Sequence, residues 1–144
     1  MCYAVYLSTT SDEDLAIRNT GLMQFCKDVP EAFEREALAF PHAWRLASRS
    51  ACSCGFRHLE SPELGFGPPE DWYPEEPDDI EATRQFVAIA RDLLAGGHRV
   101  DCVDVWDDGS AGVPDVQTAE VDLVVVPEDA FRFIKNHRLV LVLT

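Results

Sequence analysis

Residues 2–8, Cys-Tyr-Ala-Val-Tyr-Leu-Ser, are apolar at both even and odd positions, the pattern of a central strand covered on both faces. Thr10 and Glu13 then stand at capping-box spacing and predict a short helix, which Asn19-Thr20-Gly21 stops. Residues 22–29 read as a strand in preference to a helical turn, and Pro30 ends it. Residues 31–40 favour helix by composition, with Phe33, Ala37 and Phe40 on one face and Pro41 as terminator. Residues 43–57 read as extended, either a hairpin or one long bent strand, with Gly55 marking a bulge.

The clearest periodicity lies further on. Ile80, Thr83, Val87, Ala90 and Leu94 recur at 3.6-residue spacing, widened by Phe86 and Leu93, and predict an amphipathic helix over 80–95. Asp78 or Asp79 is its expected cap, and Gly96-Gly97 supplies the left-handed stop. Val87 and Leu94 are predicted core positions. Residues 98–106 alternate as a strand, with Val100 and Cys102 on one face and Val103 and Val105 on the other. Asp107-Asp108-Gly109 turns the chain. Residues 119–126 form the next predicted strand, with Ala119, Val121, Leu123 and Val125 inward. Pro127-Glu128-Asp129 opens a short helix, and 139–143 is a final strand. Most links between strands are too short for a parallel crossover. The expectation is one α+β domain over 1–144: a mostly antiparallel or mixed sheet of six to seven strands, one long helix and two to three short ones.

Residues 60–79 break this pattern. They hold five prolines and eight carboxylates, and no Lys or Arg occurs between Arg57 and Arg84. Phe66, Trp72 and Tyr73 are aromatics that a disordered linker usually lacks, so the loop is expected to pack back on the domain at least through Trp72. The whole chain carries 26 acidic against 12 basic side chains, a net charge of −14. That balance excludes a general nucleic-acid binder, which needs basic groups to release counterions, and opposes docking on anionic membrane. It favours a basic protein partner, met by carboxylates that steer the encounter and an aromatic anchor. Asp71, Trp72, Tyr73, Glu75 and Glu76 are the expected contact residues.

The candidate chemistry is thiol chemistry. Cysteines stand at 2, 26, 52, 54 and 102, an odd number, four of them inside apolar strand-like runs. With no charged region before the first apolar stretch and no run of ~20 apolar residues, the expectation is a cytoplasmic protein with reduced thiols. On an extended strand Cys52, Cys54, Phe56 and His58 point one way. The two cysteine Cα atoms are then ~6.6 Å apart, with Cβ vectors poorly aimed for a disulfide. Cys52, Cys54 and His58, with Cys2 as a fourth ligand, are the zinc candidates. A packed core explains the same residues more simply, so neither metal nor cofactor is expected.

Cys2 and Cys54 are the candidate nucleophiles, Cys54 in partnership with a histidine such as His42. Removal of Met1 would leave Cys2 with its own amine as base. Over Met1-Cys2 the chain resembles the N-terminal-nucleophile amidotransferases, with Tyr3 where that family usually has Gly. Asp104, Asp108 and Asp115 approach the spacing of a calcium loop, but Trp106 occupies a ligand position and a strand precedes it. P-loop, Rossmann, HExxH and GxSxG motifs are absent. The leading expectation is a non-catalytic binding or accessory module for a basic partner, with a thiol enzyme or a zinc-binding domain as alternatives.

Overall fold

The computed structural model describes residues 2–27, 29, 37–49, 52–70, 72–107 and 115–144, with the backbone alone described for Cys2 and Asp107. The strands are β1 (Cys2–Thr9), β2 (Met23–Cys26), β3 (His42–Ser48), β4 (His58–Leu59), β5 (Val100–Asp107), β6 (Gln117–Asp122), β7 (Phe133–Ile134) and β8 (His137–Val142); the long helix is α1 (Pro77–Ala95). Three 3₁₀ turns cover Leu15–Arg18, Ser53–Gly55 and Pro62–Leu64. Six strands make a mixed sheet in the order β2-β3-β1-β5-β8-β6, antiparallel except where β6 runs parallel to β8. β4 and β7 form a separate parallel pair. This is the expected α+β class.

β1 lies inside the sheet because both its faces are apolar. Val5 and Leu7 join the main core beneath α1, while Tyr6 packs with Val103, Val105 and Leu38 on the far face. Buried Asp101 ties that far face together. It accepts from Ser8 Oγ, from Ala39 N (2.9 Å) and from Arg138 Nε (2.8 Å). α1 buries Ala82, Thr83, Phe86, Val87, Ala90 and Leu93, whereas Leu94 is only partly covered. The helix begins three residues before the predicted Ile80. Pro77 has no N–H to leave unpaired and a backbone angle suited to the first helical position, so Glu76, not Asp78 or Asp79, is the cap. At the other end Gly97 (φ 88°) takes the left-handed conformation, with Gly97 N donating to Leu94 O and His98 N to Leu93 O.

Four local expectations are corrected. Thr10 is not a helix cap: its amide and hydroxyl pair with Arg99 O and N, extending the β1–β5 edge, and Asp14 caps the following turn. The strand predicted over 119–126 stops at Asp122, whose carboxylate accepts Val124 N and whose carbonyl accepts Val125 N and Val126 N. This side-chain turn outcompetes the ladder and leaves Val124 and Val125 exposed. After Pro127 a single turn replaces the predicted helix, because Phe131 and Phe133 must enter the core at once. Residues 52–57 are not extended. Buried Ser53 Oγ donates to Leu46 O and accepts Val5 N (2.9 Å), folding the segment into a 3₁₀ turn against β1 and β3. Of the helix predicted over 31–40, residues 31–36 lie outside the described residues, as does most of the turn at 107–109.

Gly55 marks a close approach and not a bulge. A methyl group there would fall 2.5 Å from Ser48 Cβ and closer still to its hydroxyl, which bonds Cys52 O (2.7 Å) and Gly55 N (3.2 Å). Gly55→Ala is expected to cost about 1–3 kcal/mol by overpacking, read as a lower urea midpoint. An unchanged midpoint would show that Ser48 yields freely.

Candidate functional site

The parallel register of β4 and β7 sets His58 opposite Phe133, so the residues before them, Arg57 and Arg132, lie side by side. Both are almost completely buried, and both grip one carboxylate. Arg57 Nε and Nη2 donate to Glu75 at 2.9 and 3.0 Å, and Arg132 Nη2 and Nε donate to it at 2.9 and 3.3 Å. The remaining guanidinium hydrogens reach loop carbonyls. Arg57 bonds Gly67 O (2.8 Å) and Asp129 O (2.7 Å), and Arg132 bonds Gly65 O (3.2 Å) and Pro68 O (3.4 Å). Burial opposes ionisation of Glu75, but these donors overcome it and hold the carboxyl below its usual value. The acidic loop is thus tied from outside its own sequence. Glu75, expected to face a partner, is turned inward as the centre of this clip.

The clip presents the next turn. Tyr73 N bonds Glu70 O (3.1 Å), the Tyr73 hydroxyl donates to His58 O (2.7 Å), and the Arg132 guanidinium lies 5.4 Å from the Tyr73 ring centre. Trp72 rests edge-on against Tyr73 with centroids 5.7 Å apart, yet is 63% exposed. The expectation that the loop packs back holds through its backbone and Tyr73, while the indole of Trp72 stays outside. Glu60, Glu63, Glu70 and Glu76 of the same loop are exposed as well. Asp71 lies outside the described residues.

Behind this turn is a cleft of about 230 Å³ lined by Tyr3, Cys54, His58, Tyr73, Glu76 and Asp79 among others. His58 is locked in place. Tyr3 stacks on its ring at 3.8 Å, its Nδ1 meets Asp104 Oδ2 at 2.6 Å, and its Nε2 meets Ser53 O at 2.7 Å. A carbonyl oxygen can only accept, so Nε2 carries a hydrogen and has no lone pair for a metal or for a neighbouring thiol. Cys54 Sγ instead accepts the Tyr3 amide at 3.4 Å. Burial, then the charge of Asp104, pushes the Tyr3 hydroxyl up to about 12, so it stays a neutral phenol. Burial also raises the carboxyl of Asp79, and that of Asp104 despite its histidine. With both of its nitrogens engaged, the His58 imidazole is not a base for the Cys54 thiol.

The other sequence candidates do not converge. Cys26, Cys52, Cys54 and Cys102 form no disulfide among the described residues, and Cys102 is buried in the core, which above all pushes its ionisation well above the usual range. Among the described residues no group of three or more His, Cys, Asp or Glu side chains is arranged to hold a metal. Cys2 pairs with Asp107 at the start of β1, and its side chain lies outside the described residues. His42 stands opposite Thr9, six residues along β1 from Tyr3, or ~20 Å, so Cys54 and His42 do not form a pair. Asp104 is a buried strand residue bound to His58, which removes it from a calcium loop. No helix among the described residues is long and apolar enough to cross a membrane. Comparison of the chain with protein-family models, curated proteins and solved structures finds no match.

Proposed function

We propose that this chain is a non-catalytic binding module for a basic protein partner, with the 60–79 loop as the contact surface. The observation that carries the reading is Trp72: a large aromatic, 63% exposed, on a turn held by hydrogen bonds, in a loop that also exposes Glu60, Glu63, Glu70 and Glu76. An anchor already fixed in position loses little freedom on binding, and an exposed indole gains much by burial. Asp71, Trp72, Tyr73 and Glu76 make the contact; Glu75 holds the surface in shape from beneath. The net charge of −14 supports a cationic partner over nucleic acid or anionic lipid. The odd cysteine count supports action in the reducing cytoplasm. The thiol-enzyme and zinc alternatives draw little support, since both nitrogens of the imidazole lining the cleft with Cys54 are engaged elsewhere.

The test is capture of partners from source lysate at low and high salt, comparing wild type with Trp72→Ala, followed by titration of each captured protein. The reading expects a basic partner that binds less tightly in high salt, because exposed charges are screened beyond ~8–10 Å. It also expects at least tenfold weaker binding to the variant. A variant that retains every partner would remove the loop from the interface.

A further inference from the structure

The six-stranded sheet ends in β2 on one side and β6 on the other, and the chain treats the two edges differently. At β2 the outward backbone groups are already paired. Met23 N donates to Thr20 Oγ1 (3.2 Å), Met23 O accepts Thr20 N (2.8 Å), and Phe25 N donates to Asn19 Oδ1 (2.7 Å). The segment leading into β2 thus closes that edge. At β6, Gln117 N and Leu123 N point inward, to Asn136 O (3.2 Å) and Val142 O (2.8 Å). Backbone groups alternate in direction along a strand, so Thr118 and Glu120 turn their N–H and C=O away from β8. Neither pairs with another described residue on that side. Their side chains are exposed too, while Ala119 and Val121 pack on the core. β6 carries no Pro and no Lys, the residues that commonly blunt an edge. Just past its end stand Val124 and Val125, 56% and 74% exposed.

Charge decides what fits there. Residues 115–129 hold five carboxylates, and no Lys or Arg occurs between Arg99 and Arg132. Arg138, opposite Thr118 on β8, is bound to buried Asp101. A second copy of the chain would bring the same carboxylates to the edge, and a net charge of −14 on each opposes that pairing. We infer that β6 takes an extended, lysine- or arginine-bearing segment of another protein as a seventh strand of the sheet. Thr118 and Glu120 supply the backbone donors and acceptors. The Glu120 carboxylate meets a basic side chain of the added strand, and Val124 and Val125 meet an apolar one beyond the ladder. This surface is separate from the 60–79 loop, and the contact does not need Trp72.

The probe is a synthetic heptapeptide alternating lysine with valine, titrated into the full chain and followed in nitrogen–proton correlation spectra. Two comparison peptides accompany it. One has glutamate in place of lysine. The other keeps the lysines but has its three central amides N-methylated, so it keeps the charge and cannot complete a ladder. The expected result is a saturable shift and slower hydrogen exchange at the amides of Thr118 and Glu120. Each comparison peptide should bind at least tenfold more weakly. Thr118→Pro removes an outward N–H and leaves the bonds to β8 in place, so the β8 signals should persist while binding of the basic peptide falls by a similar factor. Glu120→Lys should reverse the preference between the lysine and glutamate peptides. Thr118 and Glu120 amides unmoved by the basic peptide at millimolar concentration overturn the proposal. So does equal binding of the N-methylated peptide, which would reduce the contact to charge alone, or undiminished binding by Thr118→Pro. A dimer in sedimentation that Thr118→Pro dissociates would assign the edge to a second copy and overturn it as well.

Discussion

Glu75→Gln is expected to lower stability by about 3–5 kcal/mol, because it removes the one carboxylate between two buried guanidinium groups and leaves their charge uncompensated. The loss should appear as a lower denaturant midpoint. It should also appear as faster proteolysis within 60–79, since the arginines that lose Glu75 also hold Gly65, Gly67 and Pro68. A cost below about 1 kcal/mol would mean that solvent screens the cluster. The pH dependence follows from the sign of the shift. Glu75 in the folded protein titrates below its ordinary 4.5, so its contribution is complete above that value and is lost as pH falls through the folded one. Wild type and Glu75→Gln should therefore differ fully at neutral pH and converge in acid. A gap that persists unchanged to low pH would mean that the charge is not what the clip uses.

Phe86→Ala should cost a comparable amount, about 3–5 kcal/mol, through lost transfer energy and the cavity left behind. Its ring is the meeting point of Phe131 and Phe133, at 5.8 and 4.9 Å. Leu94→Ala, on the partly covered edge of the same helix, should cost only about 1 kcal/mol. Calorimetric melting of the two variants side by side checks the ranking. Equal losses would show that the helix packs evenly across its whole stripe.

The contrast between Phe86 and Leu94 shows how far pattern alone reaches. Helical spacing identified the buried stripe of α1, and the two-sided apolar run of β1 placed that strand inside the sheet, because both signals come from neighbours in sequence. The terminal residues of each element were harder to place. At Asp122 and Ser53 a single side chain bonded to the backbone ends or bends the strand, and hydrophobic periodicity does not register such a bond. The loop was legible as an acidic, aromatic, proline-rich insertion. What holds it was not, since Arg57 and Arg132 meet Glu75 across 18 and 57 residues of chain. The local hint was an arginine immediately before each of two short strands, His58-Leu59 and Phe133-Ile134.

The Arg57–Glu75–Arg132 clip also sets an order of events during synthesis. The ribosome delivers residues at ~5–20 per second, so Arg57 and the acidic loop emerge several seconds before Arg132. Through that interval Arg57 has Glu75 but lacks β7, the Asp129 carbonyl and the second guanidinium. The nascent loop is therefore at its most open before Arg132 has emerged, and it closes only once Phe133-Ile134 can pair with His58-Leu59. A basic protein present at the ribosome would meet Trp72 before its turn is set, whereas one that arrives later meets the finished surface.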